Sequence, residues 1–219
     1  MAKIAHASID ESGHIAGGKA GDQTGKEVCI RSWYNKPWGF VIRFKDPALR
    51  EKVARCMEMA AKNDNIGYDQ NQRNTLLKKA RAYNYDVSKV KEKCETDCSA
   101  LVSVACMYAG IPESTLTYNG NCATTRTLRN CLKATGEVEI YSTPIYTQKT
   151  LKLTRGDILL KEGSHVAVVV EGDRKSDEQI AKEVIAGLWG NDPERKRQIE
   201  AAGYNYKKIQ AIVNEMLKK

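Results

Sequence analysis

Asp97-Cys-Ser-Ala-Leu-Val-Ser-Val-Ala-Cys-Met-Tyr-Ala-Gly-Ile-Pro112 opens on a polar triplet, continues as an almost wholly apolar run, and closes on a glycine with a proline beyond it. Glycine after the last apolar residue, followed by proline, is the pattern of a helix stop. A helix apolar on every side must be buried. The polar triplet heads the apolar run, which places the Cys98 thiol in the first turn. There the unpaired N–H groups and the helix dipole favour thiolate, the form of cysteine that attacks acyl carbon. Cys106, amid apolar neighbours on the same helix, reads as core. Buried cysteines are common, but Asp97 and Ser99 are polar neighbours that a purely structural thiol does not require. A nucleophile needs a base, and the chain has three histidines. His165 opens a strand-like run, His165-Val-Ala-Val-Val-Val170, shortly after Gly156-Asp157-Ile-Leu-Leu160 and a Glu-Gly-Ser turn. Cys98 and His165 are therefore the candidate catalytic pair. The residues alone leave both the chemical and the packing reading open.

Asp97-Cys98-Ser99-Ala100-Leu101-Val102, then Gly156-Asp157-Ile158-Leu159, then His165-Val166-Ala167-Val168 resembles the NlpC/P60 family of cysteine peptidases over roughly residues 60 to 172. The ordered set of three motifs is much more specific than any one of them. The resemblance implies an α+β, papain-like domain that cuts peptide bonds in bacterial peptidoglycan, with Cys98 as nucleophile and His165 as base. Ala100 stands where the family usually has glycine, a mild replacement in a helix. A larger departure follows His165. The family expects a third polar residue on the next strand, whereas here the chain enters Glu171-Gly-Asp-Arg-Lys-Ser-Asp-Glu178, a charged linker.

Ile4-Ala-His6-Ala-Ser8-Ile-Asp10 alternates like a strand, with a second short strand expected near His14. Its histidine-alanine-serine wording resembles the family's third strand. This implies a circular permutation in which the N-terminal strand lies beside the His165 strand and His6 orients the His165 imidazole, as such a third residue fixes which ring nitrogen faces the thiol. Asp10, Asp22 and Glu171 are the alternative orienters. By the same resemblance Tyr68, in Ile66-Gly-Tyr-Asp69, belongs to the substrate site and its oxyanion region, and Asp97 and Ser99 hold a free amino group of the stem peptide.

Residues 177 to 219 read as three short helices, Asp177 to Ile185, about Pro193 to Ala202, and Tyr206 to Leu217, broken at Gly190-Asn191 and Gly203. Ile180, Val184, Ile185, Leu188, Trp189, Ile199, Tyr204, Ile209, Ile212, Val213 and Leu217 are the expected core of this small bundle, with Trp189 as packing. Ile180-Ala-Lys-Glu-Val-Ile-Ala-Gly-Leu-Trp-Gly-Asn191, with Glu194-Arg-Lys-Arg197, Ala202-Gly-Tyr-Asn-Tyr206 and Val213-Asn-Glu215, is similar to the CW_7 repeat. That is a cell-wall-binding module of phage lysins which recognises the sugar-peptide unit of peptidoglycan. Gly190, Asn191 and Arg195 are the candidate donors to it. The expected division is a catalytic domain over 1–172, a linker over 173–178 and a wall-binding domain over 179–219.

The 35 basic and 27 acidic residues give a net charge of +8, all but one unit of it before residue 177. A basic enzyme suits an anionic wall. Nucleic acid is the rival partner, but the basic residues are scattered, no reader motif is present, and two Phe and three Trp leave little for stacking. No apolar run approaches the ~20 residues a membrane span needs, and the N-terminus lacks a signal-peptide core. The expectation is synthesis in the cytoplasm and release to the wall through a separate pore, as in a phage or prophage endolysin. Seven cysteines, an odd number without zinc spacing, argue for a reducing compartment and no metal or other cofactor.

Strands are expected at Trp33-Tyr34, Trp38 to Phe44, Val138 to Tyr141, Asp157 to Lys161 and His165 to Val170. Helices are expected from Asp46-Pro47 (with Leu49, Val53, Met57 and Ala60 inward), from Asn71 to Ala82, and from Thr124 or Thr125 around Leu128 and Leu132. Three functions fit: an endopeptidase cutting beside D-glutamate in the stem peptide, an N-acetylmuramoyl-L-alanine amidase, and a wall binder with a vestigial thiol.

Overall fold

The structure is a computed structural model that describes residues 1–173, 175–202 and 204–218. Arg174, inside the expected linker, and Gly203, an expected helix break, lie outside the described residues. The chain divides into two compact units, Met1–Asp173 and Arg174–Lys219.

The first unit contains β1 (Lys3–Ala7), β2 (Val28–Ser32), β3 (Phe40–Phe44), α1 (Pro47–Ala60), β4 (Ile66–Tyr68), α2 (Thr75–Ala80), β5 (Cys94–Thr96) and α3 (Cys98–Ala109). It continues through α4 (Glu113–Leu116), β6 (Thr117–Tyr118), β7 (Asn121–Cys122), α5 (Leu128–Ala134), β8 (Val138–Tyr141), α6 (Pro144–Thr147), β9 (Ile158–Lys161) and β10 (His165–Glu171). Six strands form one antiparallel sheet in the order β2-β1-β10-β9-β3-β8. The N-terminal strand β1 thus lies beside the His165 strand, with Ile4 opposite Val169 and Ala5 opposite Val168. This mixed helix-and-sheet architecture is compatible with the α+β expectation.

Alternation along the strands separates two cores. Ala5, Ala7, Val166, Val168 and Val170 face the large core shared with α1 and α3, whereas Ile4, Trp38, Val41, Leu159, Ala167 and Val169 form a smaller cluster. Helix α1 begins where expected because Asp46 accepts the Ala48 N–H and Pro47 supplies a preset φ. Helix α3 is buried along nearly its whole length and stops at Gly110, whose φ of 115° is left-handed. Each large apolar side chain it buries contributes about 1.5–3 kcal/mol relative to exposure.

The Gly156-Asp157 pair explains how β9 is fixed. Gly156 has φ of 86°, and a Cβ there would lie 2.4 Å from the Arg50 carbonyl oxygen of α1. Asp157, fully buried, accepts two bonds of 2.7 Å from the Arg43 guanidinium, which also donates to the Lys152 carbonyl. A buried pair of this kind costs desolvation, and its fork geometry with satisfied remaining donors offsets that cost.

These expectations change. The second strand is β2, and the segment near His14 is instead a turn in which Asp10 accepts the Ser12 and His14 N–H groups. Trp33 and Tyr34 lie outside any strand, and the strand expected from Trp38 begins at Phe40. The helix expected from Asn71 to Ala82 is shorter, because Asn74 gives no side-chain cap and a 3-10 turn over Arg81–Tyr83 ends at left-handed Asn84. The helix expected from Thr124 or Thr125 begins at Leu128, after a turn in which the Thr124 N–H donates to the Thr127 hydroxyl.

The second unit holds α7 (Asp177–Ile185), α8 (Glu194–Ala201) and α9 (Tyr206–Leu217). Ser176 and Gln179 form a capping box at α7. Its core is Ile180, Ala181, Val184, Ile199, Ile209 and Val213, with Trp189, Tyr204, Tyr206, Ile212 and Met216 packed on it. Ile185, Leu188 and Leu217, expected inside, are exposed, since a bundle this small buries only one stripe per helix.

Candidate functional site

Asp97 is the N-cap of α3, and its Oδ1 accepts the Ala100 N–H at 2.7 Å. The Cys98 thiol follows in the first turn. The backbone N–H groups of Val166, the residue next to His165 in β10, and of Ser99 lie near enough to the thiol to favour its charged form. On the adjacent strand, His6 Nδ1 lies 2.8 Å from His165 Nε2, with the two rings edge to face. The structure therefore brings Cys98, His165 and His6 into one neighbourhood from three distant stretches of chain. Trp38 stacks on the His165 ring at 6.0 Å, and its indole N–H donates to the Tyr34 carbonyl, so the imidazole is held on two sides.

Because Nε2 of His165 is engaged by His6, Nδ1 is the ring nitrogen left to take a proton. That requires Nε2–H to donate to His6 Nδ1, with His6 then carrying its own proton on Nε2. His6 Nε2 is buried and has no hydrogen-bond partner among the described residues.

Burial dominates the electrostatics. The sequence reading favoured a thiolate at rest, but the Cys98 pKa is pushed up to about 12, first by burial and then by the Asp97 charge. The Val166 and Ser99 N–H groups and Arg73 act weakly the other way. His165 is lowered to about 3 by burial, then by His6 and Lys36, and His6 to about 4 by burial, then by Arg31 and Lys36. With exposures of 5% for Cys98 and 7% for His165, desolvation outweighs the helix dipole. The resting centre is neutral throughout.

Arg73 joins the site without any local motif that marks it. Its Nε and Nη2 donate to both Asp97 oxygens, Nη2 also to Ser99 Oγ and the Ala123 carbonyl, and Nη1 to the Cys122 carbonyl. Ser99 Oγ donates to Asp97 Oδ1. The polar flanks of Cys98 are thus engaged in holding the start of α3, where the sequence reading gave them a substrate amine. Arg73 sits in a polar segment with no periodicity, and only the fold brings it to Asp97.

Tyr68, 3% exposed, accepts a bond from Gln70 at its hydroxyl and donates its N–H to Glu27. Its pKa is raised to about 12 by burial, with the Cys98 and Asp97 charges adding to it, which places the phenol within electrostatic reach of the thiol. The alternative orienters lie elsewhere. Asp22 gathers the N–H groups of Thr24 through Val28, Asp10 builds the turn described above, and exposed Glu171 pairs with Lys3.

In the three-helix unit Gly190 has a left-handed φ of 66° and Asn191 is exposed. Arg195 pairs with Asp192, which also accepts the Tyr206 hydroxyl at 2.7 Å. Arg195 Nε is buried without a partner among the described residues. Trp189 donates to Glu183 and packs on the core. Among the described residues no group of three or more His, Cys, Asp or Glu is placed to hold a metal ion, and no helix is long and apolar enough to cross a membrane.

The fold and site define a mixed α/β domain with a buried thiol–imidazole cluster, followed by a separate three-helix module. The chain belongs to the endolysin-like domain family, which matches residues 4–176, and the CW_7 repeat matches residues 178–217. No curated protein and no solved structure matches the chain. An endolysin-like domain joined to a cell-wall-binding repeat supports a peptidoglycan hydrolase.

Proposed function

We propose that the protein is a thiol-dependent peptidoglycan hydrolase whose domain over 1–172 is a circularly permuted relative of the NlpC/P60 fold. The observation that carries this reading is the 2.8 Å contact of His6 with His165 Nε2, on a strand whose next residue, Val166, brings its N–H near the Cys98 thiol. His165 Nδ1 takes the thiol proton while sulfur attacks an amide carbonyl of the stem peptide, and the backbone N–H of Cys98 and the Tyr68 region stabilise the oxyanion. Because burial keeps thiol and imidazole neutral at rest, proton transfer accompanies attack. The tetrahedral intermediate expels the amine, which receives that proton from His165. Water then attacks the thioester, His165 takes its proton, and the carboxylic acid leaves as the thiol is restored. His6 is a positioning residue, fixing the tautomer of His165. The CW_7 module holds the enzyme on the wall through Gly190, Asn191 and Arg195.

The bond we assign is the one beside D-glutamate, which exposes a new amino group on the third stem residue. An amidase would expose L-alanine amino termini instead, and mass spectrometry of digested walls separates the two. Cys98→Ala and Cys98→Ser are expected to abolish clearing of Gram-positive walls in a turbidity assay while co-sedimentation with walls persists, and His165→Ala to do the same. Lysis retained by Cys98→Ala refutes the mechanism and leaves a wall binder.

A further inference from the structure

A cleft of about 710 Å³ opens beside the imidazole pair, lined by His6, Ser8, Cys29 and Arg31 together with Asp10, Glu11 and Lys26 from the adjoining turns. The β1–β2 register pairs His6 with Cys29 and Ile4 with Arg31, so these side chains share one face of the sheet, and β2 is its edge strand. The volume is that of a pocket for a small ligand or a peptide segment.

The charges along this cleft are unequal in availability. Asp10 Oδ1 accepts the Ser12 and His14 N–H groups, and both Glu11 oxygens accept from Lys19 N–H. Arg31, Lys26 and nearby Lys36, by contrast, form no ion pair among the described residues. The Arg31 guanidinium lies over the Tyr34 ring at 4.8 Å from its centroid, and Tyr34 in turn lies 6.3 Å from the His6 ring. Arg31 is thereby held on the imidazole side of the cleft. His6 also lines the cleft, and its buried Nε2 has no partner among the described residues.

We propose that this cleft is a subsite for a carboxylate of the peptide substrate, held by Arg31, with Lys26 on the same lining, and set against His6. The inference rests on the thiol-hydrolase reading and adds a substrate determinant to it. A carboxylate is the group that answers unpaired guanidinium and ammonium charges. It also answers an electrostatic problem of the site. Burial is the main cause that keeps the imidazoles neutral, with Arg31 adding to it at His6 and Lys36 at both rings, yet the reaction passes through a protonated His165. A substrate anion between the cations and His6 offsets that repulsion when the substrate is bound, so binding and activation of the base are coupled.

The test uses two stem-type peptides containing γ-linked D-glutamate, one with a free α-carboxylate and one with that group amidated. Binding to the full-length Cys98→Ala protein is measured by calorimetry. The acid is expected to bind about tenfold more tightly than the amide, and Arg31→Gln in the same background is expected to remove that preference. In the active protein, the acid-to-amide ratio of kcat/KM is expected to fall about tenfold on Arg31→Gln, and to fall in the same direction with Lys26→Gln. Equal binding of acid and amide to the parent, or an Arg31→Gln variant that weakens both alike, overturns the subsite. Arg31 is exposed, and circular dichroism of each variant excludes misfolding as the cause. The binding contrast does not depend on turnover. Lysis by Cys98→Ala would therefore refute the nucleophile while the calorimetry judged the subsite by itself.

Discussion

Replacing Arg73 with methionine removes a guanidinium that holds together the start of α3. Arg73 makes two bonds to the Asp97 carboxylate, one to Ser99 Oγ and two to the carbonyls of Cys122 and Ala123. The pair is mostly buried, with side-chain exposures of 15% and 11%, so water cannot fully replace the lost partner. Charge-assisted bonds contribute about 1.5–3 kcal/mol each in isolation, but they share one side chain and do not add. The relevant quantity is the cost of leaving one buried charge unpaired, about 3–5 kcal/mol. Asp97 retains the Ala100 N–H and the Ser99 hydroxyl, which places the expected loss near the lower value. For a unit of this size, 1 kcal/mol corresponds to roughly 2–4 °C in Tm, so Arg73→Met should lower the melting temperature of the catalytic unit by about 10 °C. Chemical denaturation followed by near-ultraviolet circular dichroism measures the loss, and a double-mutant cycle with Asp97→Ala isolates the pair. A loss below about 1 kcal/mol, or a coupling energy near zero, refutes the view that Arg73 anchors the start of α3.

Further outcomes follow from the same geometry. His6 and His165 have folded pKa values of about 4 and 3, below the ordinary 6.5, so the unfolded chain binds more protons than the folded one between those limits. Stability from this pair therefore falls as pH drops from about 6.5 toward 4. Glu95, raised to about 7 by burial, works in the opposite direction, its contribution being lost as pH rises through 7. Stability curves of His6→Gln/His165→Gln and of Glu95→Gln against the parent should show these two slopes separately, and parallel curves contradict the assignment. Gly156→Ala should cost about 3 kcal/mol or more in a denaturant titration, since left-handed backbone and a backbone clash with Arg50 act together. Arg195→Gln should weaken co-sedimentation with walls severalfold while leaving cleavage of a soluble stem peptide intact; unchanged sedimentation removes Arg195 from wall binding.

Much of this architecture was readable because its signals are local. The apolar run from Ala100 to Ala109 with Gly110 behind it, Asp46-Pro47 at the start of α1, and the Val-rich run from Val166 to Val170 each carry their own boundary chemistry. The segment from Asp10 to Glu27 was not readable. Its order comes from carboxylates such as Asp22 and Glu27 that accept backbone N–H groups near and far, and no periodicity announces such a loop. Tyr34 and Trp38 were misread for a related reason, since aromatic side chains packed on an imidazole resemble strand residues in composition.

The sequence by itself determined where most helices and strands begin and end and which residues are candidates for chemistry, because caps, glycine stops and alternation act over a few residues. The tertiary structure decided what no local signal names: it seats β1, which the motif resemblance already placed beside β10, with His6 2.8 Å from His165 Nε2, and it gives both oxygens of Asp97 to Arg73. It also decided that thiol and imidazole rest neutral: a helix dipole can be inferred from a short stretch of chain, whereas desolvation depends on everything the fold places around the group.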